Sequence, residues 1–345
     1  MIKMKKMNHI LRNVLLTALA ACTLGSCKKT SDDETAASAE RYFEAWREIH
    51  YPNAVKKGGI YIIEDKAGTG MEWMESLPVT FLTYTMRELD GTVTHNSDEA
   101  WARQLGTWNQ TYYYGPQVAM VGEGLSYAGL DDLLDGMRQG GTRTAIIPSW
   151  MMTYERYDNL DDYVKHPTDV TATIYTIKFL GQTENLQDYE FREMKAYAKE
   201  QWNVTDTLST AAVFFKSHSD FGKEEPEAMP NDTTVYINYI GRRISDGQVF
   251  DTNIADTAKF YHIYNASRTY EPISVSWAEK PADIKMNGST VVGGFGHGLA
   301  AMHPGESASF VFGYNLGYGS SGGKDTNMIP PYAALRFDVD LVPKP

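Results

Sequence analysis

Polar and apolar residues alternate with a period of two through Val79-Thr-Phe-Leu-Thr-Tyr-Thr-Met-Arg, the pattern of a strand that buries one face. The run stops at the turn dipeptide Asp90-Gly91. Other short apolar runs have the same character: Gly59-Ile-Tyr-Ile-Ile-Glu closes on Ala67-Gly-Thr-Gly, Gly140-Gly-Thr-Arg-Thr-Ala-Ile-Ile ends at Pro148, and Thr171 to Leu180 supplies a further strand. Between them, Gly129-Leu-Asp-Asp-Leu-Leu-Asp-Gly-Met137 places its apolar residues on one face of a short helix. Helical spacing marks two longer segments. Tyr42, Phe43, Trp46 and Ile49 stand among Glu and Arg from Ala39 to His50, and Leu186, Tyr189, Met194 and Tyr197 recur between Glu184 and Trp202.

The second half of the chain repeats this plan. Ala212-Val-Phe-Phe-Lys matches Ile60-Tyr-Ile-Ile-Glu, Tyr239-Ile-Gly matches Tyr84-Thr-Met, and Asp246-Gly247 matches Asp90-Gly91. Gly298-Leu-Ala-Ala-Met302 then matches Leu133-Leu-Asp-Gly-Met137, and Phe337-Asp-Val-Asp-Leu matches Tyr175-Thr-Ile-Lys-Phe, with an offset drifting slowly over about 150 to 165 residues. A chain of 345 residues also exceeds the size at which a single core keeps growing. Two domains are expected, at 58–182 and 205–345, joined by a helix within 183–204 and preceded by a tether and amphipathic helix at 27–57.

Charge and cysteine usage narrow the setting. A formal charge of -12 without a basic stripe excludes a nucleic-acid partner. Lys3, Lys5, Lys6 and Arg12 precede an apolar core from Val14 to Leu24, too short to span a bilayer, so 1–26 reads as a signal peptide. Leu24-Gly-Ser-Cys27 resembles the lipobox of bacterial lipoproteins, which implies a diacylated Cys27 and anchorage to the outer membrane of the cell envelope, on its periplasmic or surface face. Cys22 lies in the removed segment, so the mature chain has no thiol left to pair with. Lys28 to Ala39 is polar and reads as a flexible tether. Its Ser31-Asp-Asp-Glu34 fits a surface-export signal and a solvated charge run equally.

Candidate chemistry gathers in the last third. The eight histidines show no paired ligand spacing, so no metal is expected. Gly296-His-Gly298-Leu-Ala-Ala301 formally fits a dinucleotide fingerprint, but His303-Pro-Gly stops the helix that motif needs. Gly322-Gly-Lys-Asp lacks the leading glycine and the hydroxyl of a P-loop. What remains is an ordered series: Val235-Tyr-Ile-Asn-Tyr-Ile-Gly, Asp246-Gly-Gln-Val-Phe-Asp251, Val291-Val-Gly-Gly-Phe-Gly-His-Gly-Leu, Tyr318-Gly-Ser-Ser-Gly and Ile329-Pro-Pro-Tyr-Ala-Ala-Leu-Arg-Phe. In that order the series resembles the FKBP-type peptidyl-prolyl isomerases over roughly the last third of the chain.

The resemblance implies an α+β fold in which a curved antiparallel sheet wraps a short helix, present twice. Together with the lipobox it implies a cofactor-free, monomeric, lipid-anchored isomerase acting on proline-containing polypeptides and assisting exported proteins to fold. Asp251 and Tyr318 would act on substrate carbonyls. Tyr239, Phe250, Val291, Val292, Phe295, Ile329 and Phe337 would wall the pocket, with Phe295 as a floor where the family usually has tryptophan. A long insertion at about 254–290 carries Tyr261, Tyr264, Tyr270 and Trp277 and is expected to add a flap or binding surface. The first domain has Thr94-His95 for Phe250-Asp251, Leu130 for Phe295, and Pro148-Ser-Trp-Met-Met for the Tyr-Gly loop. It is expected to keep the scaffold and lack the site. The alternative is a non-catalytic lipoprotein that uses both domains to bind peptide or protein, favoured by the missing tryptophan and the insertion.

Overall fold

In a computed structural model, the described residues are 32–122, 125–157, 163, 171–222, 226–324 and 327–345. Residues 1–26, expected as a signal peptide, and Cys27 lie outside them. Helix α1 (Asp32–His50) begins before Ala39, so much of the stretch expected as tether is helical. Near its end Trp46 stacks on His50 at 4.8 Å. Residues 54–155 and 171–345 form one compact unit, separate from that of α1.

The first domain runs β1 (Val55–Lys57), β2 (Ile60–Lys66), β3 (Val79–Glu88), β4 (Val93–Asn96), α2 (Glu99–Gln104), β5 (Gln117–Met120), α3 (Ala128–Leu134), β6 (Thr142–Ile147) and β7 (Thr173–Thr183). Helix α4 (Leu186–Trp202) connects it to β8 (Val213–Ser217), β9 (Thr233–Arg243), β10 (Val249–Thr252), α5 (Ala255–Phe260), β11 (Ile273–Trp277), β12 (Lys285–Met286), β13 (Ser289–Thr290), α6 (Gly293–Ala300), β14 (Ser307–Phe312) and β15 (Leu335–Val342). Among the described residues the strands form two antiparallel sheets. One has the order β1-β2-β6-β7-β3-β4 with β5 also on β3; the other has β13-β12-β11-β9-β15-β14-β8 with β10 also on β9. The α+β class and the doubled plan are as expected.

Register shows how close the repeat is. Tyr84 pairs with Ile177 and Met86 with both Tyr175 and His95; correspondingly Tyr239 pairs with Val339 and Gly241 with both Phe337 and Asp251. One sequence match is displaced by one residue. Tyr61 pairs with Ile146 as Phe214 pairs with Val311, so Ile60 corresponds to Val213 and not to Ala212. In a strand such a slip would exchange the buried and exposed faces.

The helix of each domain lies on its sheet by a different division of volume. In the second domain α6 presents Gly294 and Gly298, where added Cβ atoms would stand 2.1 Å from Phe312 and 2.5 Å from Phe310. In the first, Leu133 replaces Gly298 on the helix and Ala145 replaces Phe310 on the strand, and both are wholly buried in one core. Large and small residues have changed sides at constant volume, the exchange that packed cores tolerate best.

Helix α4 is capped by Asn185, whose side chain accepts from Gln187 N (2.9 Å) and Asp188 N (3.2 Å), and it ends on Asn203 at φ 55. Met194 and Ala198 bury against Phe214 and Val311. On the same helix Glu190 is only 7% exposed and accepts from Tyr314 N at 3.0 Å. Burial pushes its carboxyl from 4.5 up to about 7, partly opposed by that hydrogen bond. A carboxyl raised on folding contributes stability below its unfolded pKa and loses it as pH rises through the folded value. Stability should therefore decline between about pH 4.5 and pH 7. Glu190→Gln keeps an acceptor for Tyr314 N and should flatten that decline, read as urea midpoint against pH; an unchanged slope would remove Glu190 as its cause.

Candidate active site

Strand β9 buries Ile237, Tyr239, Gly241 and Arg243 on alternate positions, the half-buried face that its pattern requires. Its neighbour β10 carries a bulge: Val249 pairs with Arg242 and Asp251 with Gly241, leaving Phe250 as the extra residue. Strict alternation would send Phe250 and Asp251 to opposite faces. The bulge re-aims the chain, and both residues reach the same aromatic cluster. The Phe250 ring packs edge-on against Phe337 at 5.7 Å, while Asp251 Oδ2 accepts from the Tyr239 hydroxyl at 2.6 Å.

The aromatic residues converge on Phe337. Phe295, from α6, meets it at 4.7 Å and meets Tyr239 at 6.1 Å; Tyr239 itself lies 6.3 Å from Phe337. Tyr239, Phe250, Phe295, Ile329 and Phe337 are buried in one core, with Val291 and Val292 partly buried at its edge. Gly241 lies beneath the rings, and a Cβ there would come 2.8 Å from Phe337 and 2.9 Å from Phe250. Val292 is the N-cap of α6, so its end of the helix presents amides that intrahelical bonding leaves free.

Three polar residues outside the expected set hold this arrangement. Arg268 donates from Nη1 to Asp251 Oδ1 and from Nη2 to the Tyr239 hydroxyl at 3.0 Å. Asp251 and Arg268 are each about 37% exposed, so the pair is reachable from solvent. Arg268 is the only arginine between Asp251 and Val291, which was the available signal. Asn253, almost wholly buried, accepts from Tyr239 N (2.8 Å) and donates to Ile237 O and Glu271 O, both at 2.9 Å. Thr252 Oγ1 donates to Tyr239 O at 2.6 Å, completing a clamp on the Tyr239 backbone.

Tyr318 opens the turn Gly319–Ser321 and is 38% exposed. Burial first, and then the negative charge of Asp251, raise its hydroxyl above the ordinary phenol value. The same two causes raise Tyr239 further. Both hydroxyls therefore stay protonated, as donors, through the neutral range. Burial alone would lower Arg268, but its hydrogen bond and ion pair with Asp251 more than reverse this and keep it cationic.

Part of the expected insertion is sheet. Ile273 to Trp277 pairs with Ile237 to Thr233 along β9, and Trp277 is buried, its Nε1 donating to Leu299 O at 3.1 Å. Alternation along β11 sends Trp277 to the core, so it supplies no flap. Tyr264 and Tyr270 stack at 5.0 Å in the preceding loop. In the first domain Tyr84, Met86, His95, Leu130 and Tyr175 line a cavity of about 420 Å³, which Asn327 and Pro331 of the second domain also line.

A sequence model described as FKBP-type peptidyl-prolyl cis-trans isomerase matches residues 225–342. The chain is 31% identical over 116 residues to FK506-binding protein 2 of Candida glabrata, covering 34% of this chain and 67% of that protein. It is 28% identical over 161 residues to a macrophage infectivity potentiator of Trypanosoma cruzi, covering 46% of this chain and 67% of that one. Among solved structures it is similar to the three FKBP domains of wheat FKBP73, at 17% identity and a TM-score of 0.28 over 83% of this chain and 94% of that chain. It is also similar to FkpA from Escherichia coli, at 24% identity and a TM-score of 0.31 over 46% and 58%.

The position of Gly241 yields a direct test. Gly241→Ala should lower the denaturant midpoint of the second domain by the equivalent of about 1–3 kcal/mol, the usual cost of overfilling a packed core. A wild-type midpoint would show that the rings of Phe250 and Phe337 can part freely.

Proposed function

We propose how this chain, which belongs to the FKBP-type peptidyl-prolyl cis-trans isomerase family and carries an isomerase domain of that type at 225–342, uses the site of its second domain. Rotating a prolyl amide costs about 18–20 kcal/mol because conjugation is lost in the twisted state. No bond to the enzyme is needed. A site that holds the ring and favours the twisted amide over the planar one lowers this barrier by differential binding. Phe250, Phe295 and Phe337 hold the proline ring, with Tyr239, Val291, Val292 and Ile329 at the walls. The Tyr318 hydroxyl and the Val292 amide donate to substrate carbonyls, and Asp251, oriented by Arg268 and Tyr239, stands beside the twisting carbonyl.

The observation that carries this reading is the junction of Asp251, Tyr239 and Arg268 at the edge of the aromatic cluster, joining a half-exposed charge to a buried apolar floor. The first domain has Leu130 and His95 at the equivalent places and serves as support without turnover of its own. Upstream, the lipobox-like end of the signal segment supports anchorage through Cys27, which would keep the enzyme in the envelope among exported polypeptides. Stable membrane residence takes two acyl signals, and a diacylated cysteine supplies them.

Tyr318→Phe removes one hydrogen bond, typically worth about 1 kcal/mol, so catalysed prolyl exchange in a short peptide, measured by NMR, should fall several-fold. Asp251→Asn should fall further while peptide affinity holds, since losing an interaction made only in the twisted state lowers turnover and not binding. Unchanged exchange in both folded variants would overturn the residue assignment. An inactive parent chain would favour a binding role instead. Separately, Cys27→Ala should move the protein from the membrane fraction to the soluble one; retention after a carbonate wash would place the anchor elsewhere.

A further inference from the structure

Arg243, the last residue of β9, is the largest of the wholly buried side chains among the described residues and only 1% exposed. A guanidinium so placed must find partners for its donors, because an unpaired buried charge is strongly destabilising. Its Nε and Nη2 donate to Asp246 Oδ1 (2.9 Å) and Oδ2 (2.7 Å) as a bidentate fork. Its Nη1 divides between two carbonyls: Thr111 O of the first domain at 3.1 Å, and Met328 O of the second. The Tyr113 ring covers the guanidinium at 5.4 Å, and Tyr113 N donates to Asn327 O at 2.5 Å. Tyr113 of the first domain thus holds the backbone of Asn327, and Arg243, itself bonded to Thr111 O, holds that of Met328, immediately before Ile329.

From Ile329 the contacts run on to Tyr318. Ile329 O accepts from Gly323 N and Gly319 O accepts from Tyr332 N, each at 3.0 Å. Gly322, at φ +70, passes so close that a Cβ would stand 2.4 Å from Ile329 O. Tyr318 directly precedes Gly319. Pro331, in the same segment, reaches the cavity of the first domain.

We propose that Arg243 is a positioning residue for the isomerase site, and that the Thr111–Tyr113 segment is the fixed surface against which it holds the Asn327–Tyr332 segment and, through it, the Tyr318 turn. The proposal rests on the reading of Tyr318 and Ile329 as site residues. The first domain then supports its neighbour's site through a shared buried charge. Only a forked donor fits this place: a lysine ammonium can face Asp246 but cannot serve both carboxylate oxygens and two carbonyls in that geometry.

The test uses the full mature chain with Arg243→Lys and, independently, Tyr113→Ala, which leaves every residue of the second domain in place. Two readouts are taken below the unfolding transition: catalysed exchange of a prolyl peptide, resolved into kcat and KM, and the methyl NMR signal of Ile329. Both variants should lower kcat roughly fivefold, the factor expected for losing about one hydrogen bond's worth of positioning, and both should shift the Ile329 methyl signal. If Arg243→Lys fails to fold, Tyr113→Ala carries the test alone. Folded variants with parental kcat, or with kcat lowered while Ile329 is unmoved, would overturn the positioning role. An inactive parent would sink the isomerase reading by itself, leaving the Ile329 signal to decide whether Arg243 and Tyr113 hold the segment.

Discussion

The site depends on the register of β9. This strand is paired on both sides, with β15 on one edge and β10 and β11 on the other, and its pairing places Gly241 opposite Phe337 and Asp251 together. Because side chains alternate with a period of two, a slip of one residue would turn Tyr239 and Arg243 to the outer face and bring Ile240 and Arg242 inward. The pocket rings, the Asp251 hydrogen bond and the contact between domains would be lost together. Gly241 is part of the same constraint, since the rings converge over it and leave no room for a side chain.

On this frame the polar groups solve a problem of burial. Asn253 is nearly inaccessible and satisfies one backbone donor and two backbone acceptors, so the sheet can end beside the site without leaving unpaired amides in the core. Asp251 is balanced by Arg268 and by a tyrosine hydroxyl that stays protonated. The charge is therefore oriented without being hidden from solvent. Half-exposed ion pairs add little to stability, so the value of this pair lies in orientation.

The two domains keep one fold with different residues at the positions of the candidate site. Strand order, register, helix position and turn glycines recur, and the core is preserved by moving bulk from strand to helix, from Phe310 and Gly298 to Ala145 and Leu133. Where the second domain brings Asp251 and Phe295 together, the first has His95 and Leu130 beside a cavity that it shares with Pro331. The packed scaffold recurs, whereas the residues at the candidate site, buried Phe295 and half-exposed Asp251 alike, differ.

Local physics made much of this legible in the sequence. Period-two alternation in 79–87, the short apolar runs, the Asp-Gly turns and the one-faced apolar pattern of 129–137 identified strands, turns and a short helix, and their recurrence identified two domains. The order of motifs located Tyr239, Phe250, Phe295 and Phe337, which the structure gathers into one cluster. Only the tertiary structure decided the rest. The alignment of β8 was one residue out because its partner β14 lies far along the chain, and packing such as that of Phe215 on Phe310 at 6.4 Å sets the register with no turn to fix it. Arg268 meets a partner 17 residues away, and Arg243 meets partners 132 and 85 residues away. An arginine in a loop or at a strand end has the same local sequence whether it is solvated or buried; the difference lies in the carbonyls, carboxylates and low dielectric that folding brings around it.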